Sequence, residues 1–127
     1  MFEPIHKHLI IKANVEYVIT EPAEGKMLLL EVVTEIDMTP VTQPQAVYVP
    51  EAGNEGLTGS INLATSHAAF HIWDKKKLLM FDLYSCKYFD EEKVIKLLTT
   101  YFGKMQIEAV VLDRETMAQM LFGGEYK

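Results

Sequence analysis

The feature that most constrains the fold is a run of short apolar segments in the middle of the chain. Four such segments, separated by turn-forming residues at 51–56 and 74–77, lie at residues 46–49, 57–63, 69–73 and 78–84. They are rich in β-branched and aromatic side chains, which favour strands. Strands joined by turns this short can pair only in the antiparallel direction, because a parallel pair needs a long crossover. The pattern therefore predicts an antiparallel sheet.

The segments on either side predict one more strand and two helices. Residues 8–19 are β-prone, although apolar and polar residues alternate only in their second half. Pro22 suits the first turn of a helix, and apolar residues recur at helical spacing from there to about Ile36. Asp90 is a good N-cap for a second helix, whose apolar face ends at Gly103.

The end of the chain completes the predicted order of elements. Residues 107–112 predict a last strand, and residues 115–121 predict a short terminal helix. The sum is an α+β fold, in which two helices pack on one face of a mainly antiparallel sheet in a two-layer sandwich. At 127 residues we expect a single domain over the whole chain.

Composition excludes several classes of function. The net charge is −6, and no basic stretch could neutralise phosphates, so we expect neither a nucleic-acid nor a membrane partner. No apolar run is long enough to cross a membrane and the N-terminus does not read as a signal peptide, so we expect a cytoplasmic protein. Cys86 is the single cysteine and cannot form an intramolecular disulfide; it is a buried apolar residue or a working thiol.

Polar side chains that could carry chemistry concentrate inside the predicted sheet: Thr58, Ser60, Ser66, His67, His71, Asp82 and Cys86. If the turn at residues 74–77 centres on Lys76, Ser66 lies opposite Cys86 and Phe70 opposite Asp82. Alternation places His71 on the other face from Ser66, so a bulge near Ser66 and His67 is needed to join them. The hairpin thus predicts a site containing a hydroxyl and a thiol.

The pair His67 and His71 has three interpretations. A zinc site needs two histidines on one helical face and a third ligand, and the flanking residues here indicate a strand, so we expect no metal. Both histidines could instead be structural residues. Alternatively, His71 is an acid or base beside a hydroxyl nucleophile. The residues alone leave the last two open.

Four spaced motifs carry a family resemblance: Gly56-Leu57-Thr58-Gly59, Ala64-Thr65-Ser66-His67, His71-Ile72-Trp73 and Asp82-Leu83-Tyr84-Ser85-Cys86. They resemble the prokaryotic S-adenosylmethionine decarboxylases, whose pattern has Gly-x-(Ser/Thr)-Gly, Glu-Ser-His, His-x-Trp and Asp-x-x-x-Cys at these intervals. The resemblance implies self-cleavage between Thr65 and Ser66, which makes residues 1–65 and 66–127 separate chains. Ser66 then becomes a pyruvoyl group that forms a Schiff base with the substrate amine and acts as an electron sink, with no metal.

The same resemblance implies roles for other residues. His71 takes a proton during processing, Thr58 assists the acyl shift, and Cys86 donates a proton to the decarboxylated carbon. It also implies a homodimer or larger oligomer with sites near the subunit interface, and a place in spermidine (polyamine) biosynthesis. The ligand is a small molecule, S-adenosylmethionine or a related amine.

Two departures from the family pattern concern the substrate. Thr65 stands where the family has a glutamate that contacts the substrate ribose, and the segment containing Tyr48 differs from the family's adenine-stacking segment. Thr65 and Tyr48 are the substrate-binding candidates that these positions offer. The departures keep two alternatives open: a pyruvoyl decarboxylase of a smaller amine such as arginine or ornithine, and an unprocessed, non-catalytic binding or regulatory homologue.

Overall fold

A seven-stranded antiparallel sheet is the framework of the protein. The computed structural model describes residues 3–127, and its strands lie in the order β2-β3-β4-β5-β1-β6-β7. The elements along the chain are β1 Lys7–Val15, α1 Pro22–Glu35, β2 Gln45–Val49, β3 Gly56–Leu63, β4 Ser66–Trp73, β5 Leu78–Ser85, α2 Glu91–Phe102, β6 Met105–Asp113 and β7 Gln119–Tyr126. The predicted α+β sandwich with an antiparallel sheet is therefore confirmed.

The N-terminal strand lies at the middle of the sheet. Strand β1 pairs with β5 on one side and with β6 on the other, both in the antiparallel direction. Alternate residues Leu9, Ile11 and Ala13 are completely or almost completely buried, whereas Ile10 between them is 40% exposed. One face of the sheet is thus the core face, and the opposite one is the open face.

Both helices contribute to the core. Helix α1 lies close to β3 and β4, since a Cβ atom at Gly25 would come within 2.9 Å of the side chains of Leu57 and Phe70. Helix α2 begins as predicted, with the Asp90 carboxylate accepting a hydrogen bond from the Glu92 N–H at 2.9 Å. In residues 3–127, no helix has the length and apolar character needed to cross a membrane.

The open face carries apolar side chains as well as polar ones. A groove of about 470 Å³ crosses strands β1, β5, β6 and β7, and its lining includes Ile10, Met80, Val110 and Leu121. Leu121 is 70% exposed, so this side of the sheet presents a sizeable apolar surface to solvent.

The predicted helix over residues 115–121 is wrong. Strand β7 runs from Gln119 to Tyr126 and pairs with β6 in continuous register from Met105 opposite Tyr126 to Leu112 opposite Gln119. The residues before Gly123 have good helix propensity, but propensity is a weak preference that tertiary pairing overrides. The free edge of β6 offered a full ladder of hydrogen bonds, which a single turn of helix could not match.

The predicted first strand over residues 8–19 is too long at its C-terminal end. Strand β1 ends at Val15, and the Glu16 N–H donates to the carbonyls of Phe102 and Lys104 instead of continuing the strand pairing. Buried and exposed residues alternate through the whole of β1, not only in its second half. The sequence hid the alternation in the first half because the apolar Ile10 lies on the open face and the polar Lys7 on the core face.

Candidate active site

Strands β4 and β5 form the hairpin that carries most of the candidate residues, but its register differs by one from the prediction. Phe70 lies opposite Phe81, and Ala69 opposite Asp82. The turn contains four residues, 74–77, so its centre falls between Lys75 and Lys76 rather than on Lys76. Phe70 and Phe81 consequently share the core face, and the predicted pairings of Phe70 with Asp82 and of Ser66 with Cys86 are both wrong.

Ser66 begins β4 after a tight two-residue turn. Leu63 pairs with Ser66, so only Ala64 and Thr65 make the connection between β3 and β4. Thr65 has a backbone φ of 59°, in the left-handed region that β-branched residues rarely adopt. Such a conformation stores of order 1–3 kcal/mol of strain, and here it lies on the amino side of Ser66.

Ser66, Thr65 and Cys86 come together at this turn despite the shifted register. The Cys86 backbone N–H donates to Ser66 Oγ at 3.1 Å, and the Thr65 hydroxyl donates to Cys86 Sγ at 3.0 Å. Hydrogen bonds from Thr65 and then Ser66 lower the pKa of the Cys86 thiol below its usual value. The predicted association of a hydroxyl with a thiol is present in the structure.

Ser66 belongs to a row of buried polar groups at one end of the core face. Among residues 3–127, the buried polar or charged side chains are Lys7, Ser66, Ser85 and Asp113. Lys7 pairs with both Ser85 and Asp113, and Ser66 lies next to Ser85 by extension of the β4–β5 register. Buried polar groups require partners, so this end of an otherwise apolar core is specialised for hydrogen bonding.

Thr58 and His71 form a second group, away from Ser66. They are opposite each other in β3 and β4, and the Thr58 hydroxyl is hydrogen-bonded to His71 Nδ1. His71 lies five positions after Ser66 along β4, a distance of roughly 16 Å, and the two side chains lie on opposite faces. The β3–β4 ladder is unbroken between them, so the bulge expected near Ser66 and His67 is absent.

Tyr48 is also remote from Ser66. It lies on β2, packed against the core, and pairs with Leu57 at the far end of β3 from the Thr65 turn. Its hydroxyl donates to Asp74 Oδ2 at 2.7 Å, and this hydrogen bond raises the pKa of Tyr48. Within one chain, the two substrate-binding candidates Tyr48 and Thr65 therefore do not meet.

A third group lies on the open face and includes a residue that the sequence analysis missed. His8 Nε2 is 2.9 Å from Asp82 Oδ2, and His67 Nε2 is 3.4 Å from the same oxygen. Burial acts to raise the pKa of Asp82, but hydrogen bonds and charge from His8 and then His67 hold it below its ordinary value. No local sequence pattern indicated His8, because it joins the group only through the pairing of β1 with β5.

Comparisons with known proteins agree with the motif-based assignment. Residues 8–115 match the protein-family model described as S-adenosylmethionine decarboxylase. The chain is also similar to a protein named S-adenosylmethionine decarboxylase proenzyme from Archaeoglobus fulgidus, with 28% identity over 102 residues. That similarity covers 78% of this chain and 86% of the relative. The family match spans all three groups of side chains described above.

Proposed function

Because the chain belongs to the S-adenosylmethionine decarboxylase family, we propose that it is a self-processing, pyruvoyl-dependent decarboxylase that cleaves between Thr65 and Ser66. The observation that carries the proposal is the turn before β4. A strained Thr65 precedes a buried serine, and both are hydrogen-bonded to the same cysteine. The domain of residues 1–127 then consists of two chains, 1–65 and 66–127.

Strain at Thr65 favours the first step of processing. Ser66 Oγ attacks the Thr65 carbonyl carbon, the C–N bond breaks, and the Ser66 nitrogen takes the proton that the hydroxyl loses. The product is an ester that no longer needs the tight turn, so the 1–3 kcal/mol stored there is released. The burial of Ser66, which is 7% exposed, also protects the ester from premature hydrolysis.

His71 suits the second step. A base removes the Ser66 α-proton, the Cβ–Oγ bond breaks, and the carboxylate of Thr65 leaves. Water then hydrolyses the resulting imine, releasing ammonia and leaving a keto group at residue 66. Imidazole is a suitable base near neutral pH, and in the tautomer in which Nδ1–H donates to the Thr58 hydroxyl oxygen, Nε2 is unprotonated and can accept the α-proton.

The separation of His71 from Ser66 supports a shared site in a homodimer. Within one chain the two residues are on opposite faces and roughly 16 Å apart. The exposed apolar groove on the open face supports association with a second copy. We propose that the Thr58–His71 pair of one subunit serves the Ser66 turn of the other, so that each chain supplies two half-sites.

In the processed enzyme the pyruvoyl carbonyl supplies an electron sink for loss of carbon dioxide. Cys86 is well placed beside residue 66 to donate a proton afterwards, because its backbone N–H already contacts the Ser66 hydroxyl. The lowered pKa of its thiol makes Cys86 a stronger acid than an ordinary cysteine.

S-adenosylmethionine is the proposed substrate, used to supply the aminopropyl group for spermidine in the cytoplasm. A smaller amino acid such as arginine or ornithine is the second candidate, and the observation that favours it is Thr65. A threonine has one side-chain oxygen and no charge, so it cannot bind two ribose hydroxyls in the bidentate way that the two carboxylate oxygens of a glutamate can. Assays of carbon dioxide release from S-adenosylmethionine, arginine and ornithine distinguish the two.

An intact-mass measurement under denaturing conditions tests the proposal. The expected result is two fragments from the 14.5 kDa chain, 1–65 and 66–127, with the second lacking a free amino group. A single intact chain after prolonged incubation would overturn the enzyme assignment and favour the unprocessed binding or regulatory homologue.

A further inference from the structure

We propose that His8, His67 and Asp82 bind a divalent transition-metal ion of the Zn²⁺ class on the open face of the sheet. The three residues come from strands β1, β4 and β5, which are adjacent in the sheet. One ligand atom from each, two imidazole nitrogens and a carboxylate oxygen, lies within 4.8 Å of both others.

The distances fit a shared ion. Two ligand atoms that are each about 2.1 Å from a tetrahedral ion lie roughly 3.4 Å apart. The observed separations from Asp82 Oδ2 are 2.9 Å to His8 Nε2 and 3.4 Å to His67 Nε2. The third separation, between the ligand atoms of His8 and His67, is within 4.8 Å.

The arrangement differs from an ordinary ion pair. A single histidine is enough to pair with a carboxylate, whereas here two Nε2 atoms converge on the same oxygen of Asp82. The two rings are 5.9 Å apart and nearly perpendicular, so both nitrogens point to one position from different directions. A divalent ion in that position would bind all three groups at once.

The chemistry of the ligands selects the class of metal. Two imidazoles and one carboxylate are typical of Zn²⁺, Co²⁺ and Fe²⁺ sites, whereas Mg²⁺ and Ca²⁺ prefer oxygen ligands. The side chains of His8, His67 and Asp82 are 16%, 40% and 32% exposed, so an ion can reach them. A groove of about 240 Å³ beside His8 and Asp82 leaves room for a water molecule or another fourth ligand.

The site has a structural consequence if the proposed cleavage also occurs. His8 lies in residues 1–65, whereas His67 and Asp82 lie in residues 66–127. The ion would then link the two chains of the processed protein. The metal site itself does not depend on cleavage, because all three ligands are in place in the intact chain.

Titration with Co²⁺ tests the site in two proteins, the wild type and a Ser66→Ala variant that cannot cleave by the proposed mechanism. We expect saturable binding of one equivalent in both, with visible d–d absorption of a site containing nitrogen ligands, and displacement by Zn²⁺. Use of Ser66→Ala separates this result from the proposed function, since the site is intact whether or not self-cleavage occurs.

Variants identify the ligands. Asp82→Asn and His8→Gln should each weaken Co²⁺ binding by at least roughly a hundredfold. His6→Gln is the matched control, because His6 lies just before β1, two residues from His8, but is hydrogen-bonded to Tyr84 instead, and it should bind Co²⁺ as the wild type does. Absence of saturable Co²⁺ binding in the wild type would overturn the proposal. So would binding that survives Asp82→Asn, or that is lost equally in His6→Gln.

Discussion

Strand β4 carries a reactive side chain near each end, and the two lie in different environments. Ser66, at its start, is buried on the core face and bonded to Cys86, whereas His71, five residues later, is exposed on the open face and bonded to Thr58. Strict alternation along an unbroken strand causes this difference. Residues grouped in sequence therefore do not form one site within one chain, and the proposed function assigns them to two half-sites of each subunit.

The largest expected effect concerns the buried hydroxyl. Ser66→Ala removes the nucleophile and should abolish cleavage, measured as fragment formation by intact mass. Ser85→Ala is the matched control, because Ser85 is a buried serine on the adjacent strand whose hydroxyl is hydrogen-bonded to the Lys87 N–H and the Met38 sulfur. It should cost about 1 kcal/mol of unfolding free energy and still cleave. Cleavage in Ser66→Ala would contradict the assignment of the nucleophile.

Removal of the exposed base comes next. His71→Gln should slow formation of the keto group roughly a hundredfold to ten-thousandfold, because a positioned general base is lost. The ester between Thr65 and Ser66 should still form. Hydroxylamine should therefore cleave both the His71→Gln precursor and the wild-type precursor after residue 65. An unchanged rate of keto-group formation would show that His71 takes no part in processing.

The strained turn predicts a moderate effect. Thr65→Gly adopts the positive φ without strain, so the precursor should cleave more slowly, by about fivefold to 150-fold if all of the strain of 1–3 kcal/mol is removed. Thr65→Ser is the control for the lost hydrogen bond to Cys86, since it keeps the hydroxyl. A faster rate in Thr65→Gly than in the wild type would argue against strain as a contribution to cleavage.

The smallest effect is a pH dependence of stability from the open face. The folded pKa of Asp82 is below its unfolded value, so its contribution is present above the unfolded pKa of about 3.9 and is lost as the pH falls through the folded pKa. The contribution should be less than about 1 kcal/mol because the side chain is 32% exposed. Denaturant unfolding across this pH range should show a smaller loss of unfolding free energy in Asp82→Asn than in the wild type. An identical loss in both proteins would contradict the cause given for the shift.

Local sequence patterns predicted most of the fold. Alternation and turn residues located the strands of the β3–β4–β5 region, and the Asp90 cap marked the start of α2. The pairing of β7 with β6 could not be predicted, because a helix-prone segment became a strand only through its contact with a distant free edge. The register error at Phe70 arose because the turn type, not its composition, sets which residues lie opposite each other.

The candidate site was predicted in part. Hairpin geometry predicted Ser66 directly opposite Cys86, which is wrong by one residue, but the two residues are still in contact because the Cys86 backbone N–H donates to the Ser66 hydroxyl oxygen. The group of His8, His67 and Asp82 could not be predicted from local pattern. It depends on the pairing of β1 with β5, whose residues His8 and Asp82 are 74 positions apart.

Intact-mass analysis of mixed subunits tests the shared site most directly. Ser66→Ala and His71→Gln chains are purified separately, then unfolded and refolded together, and their different masses identify each chain. We predict that neither variant forms the mature fragment 66–127 appreciably alone, but that the His71→Gln chain does so in the mixture, using His71 of its Ser66→Ala partner. If native mass shows mixed dimers and the His71→Gln chain nevertheless remains unprocessed, the two half-sites do not act together and the account is wrong.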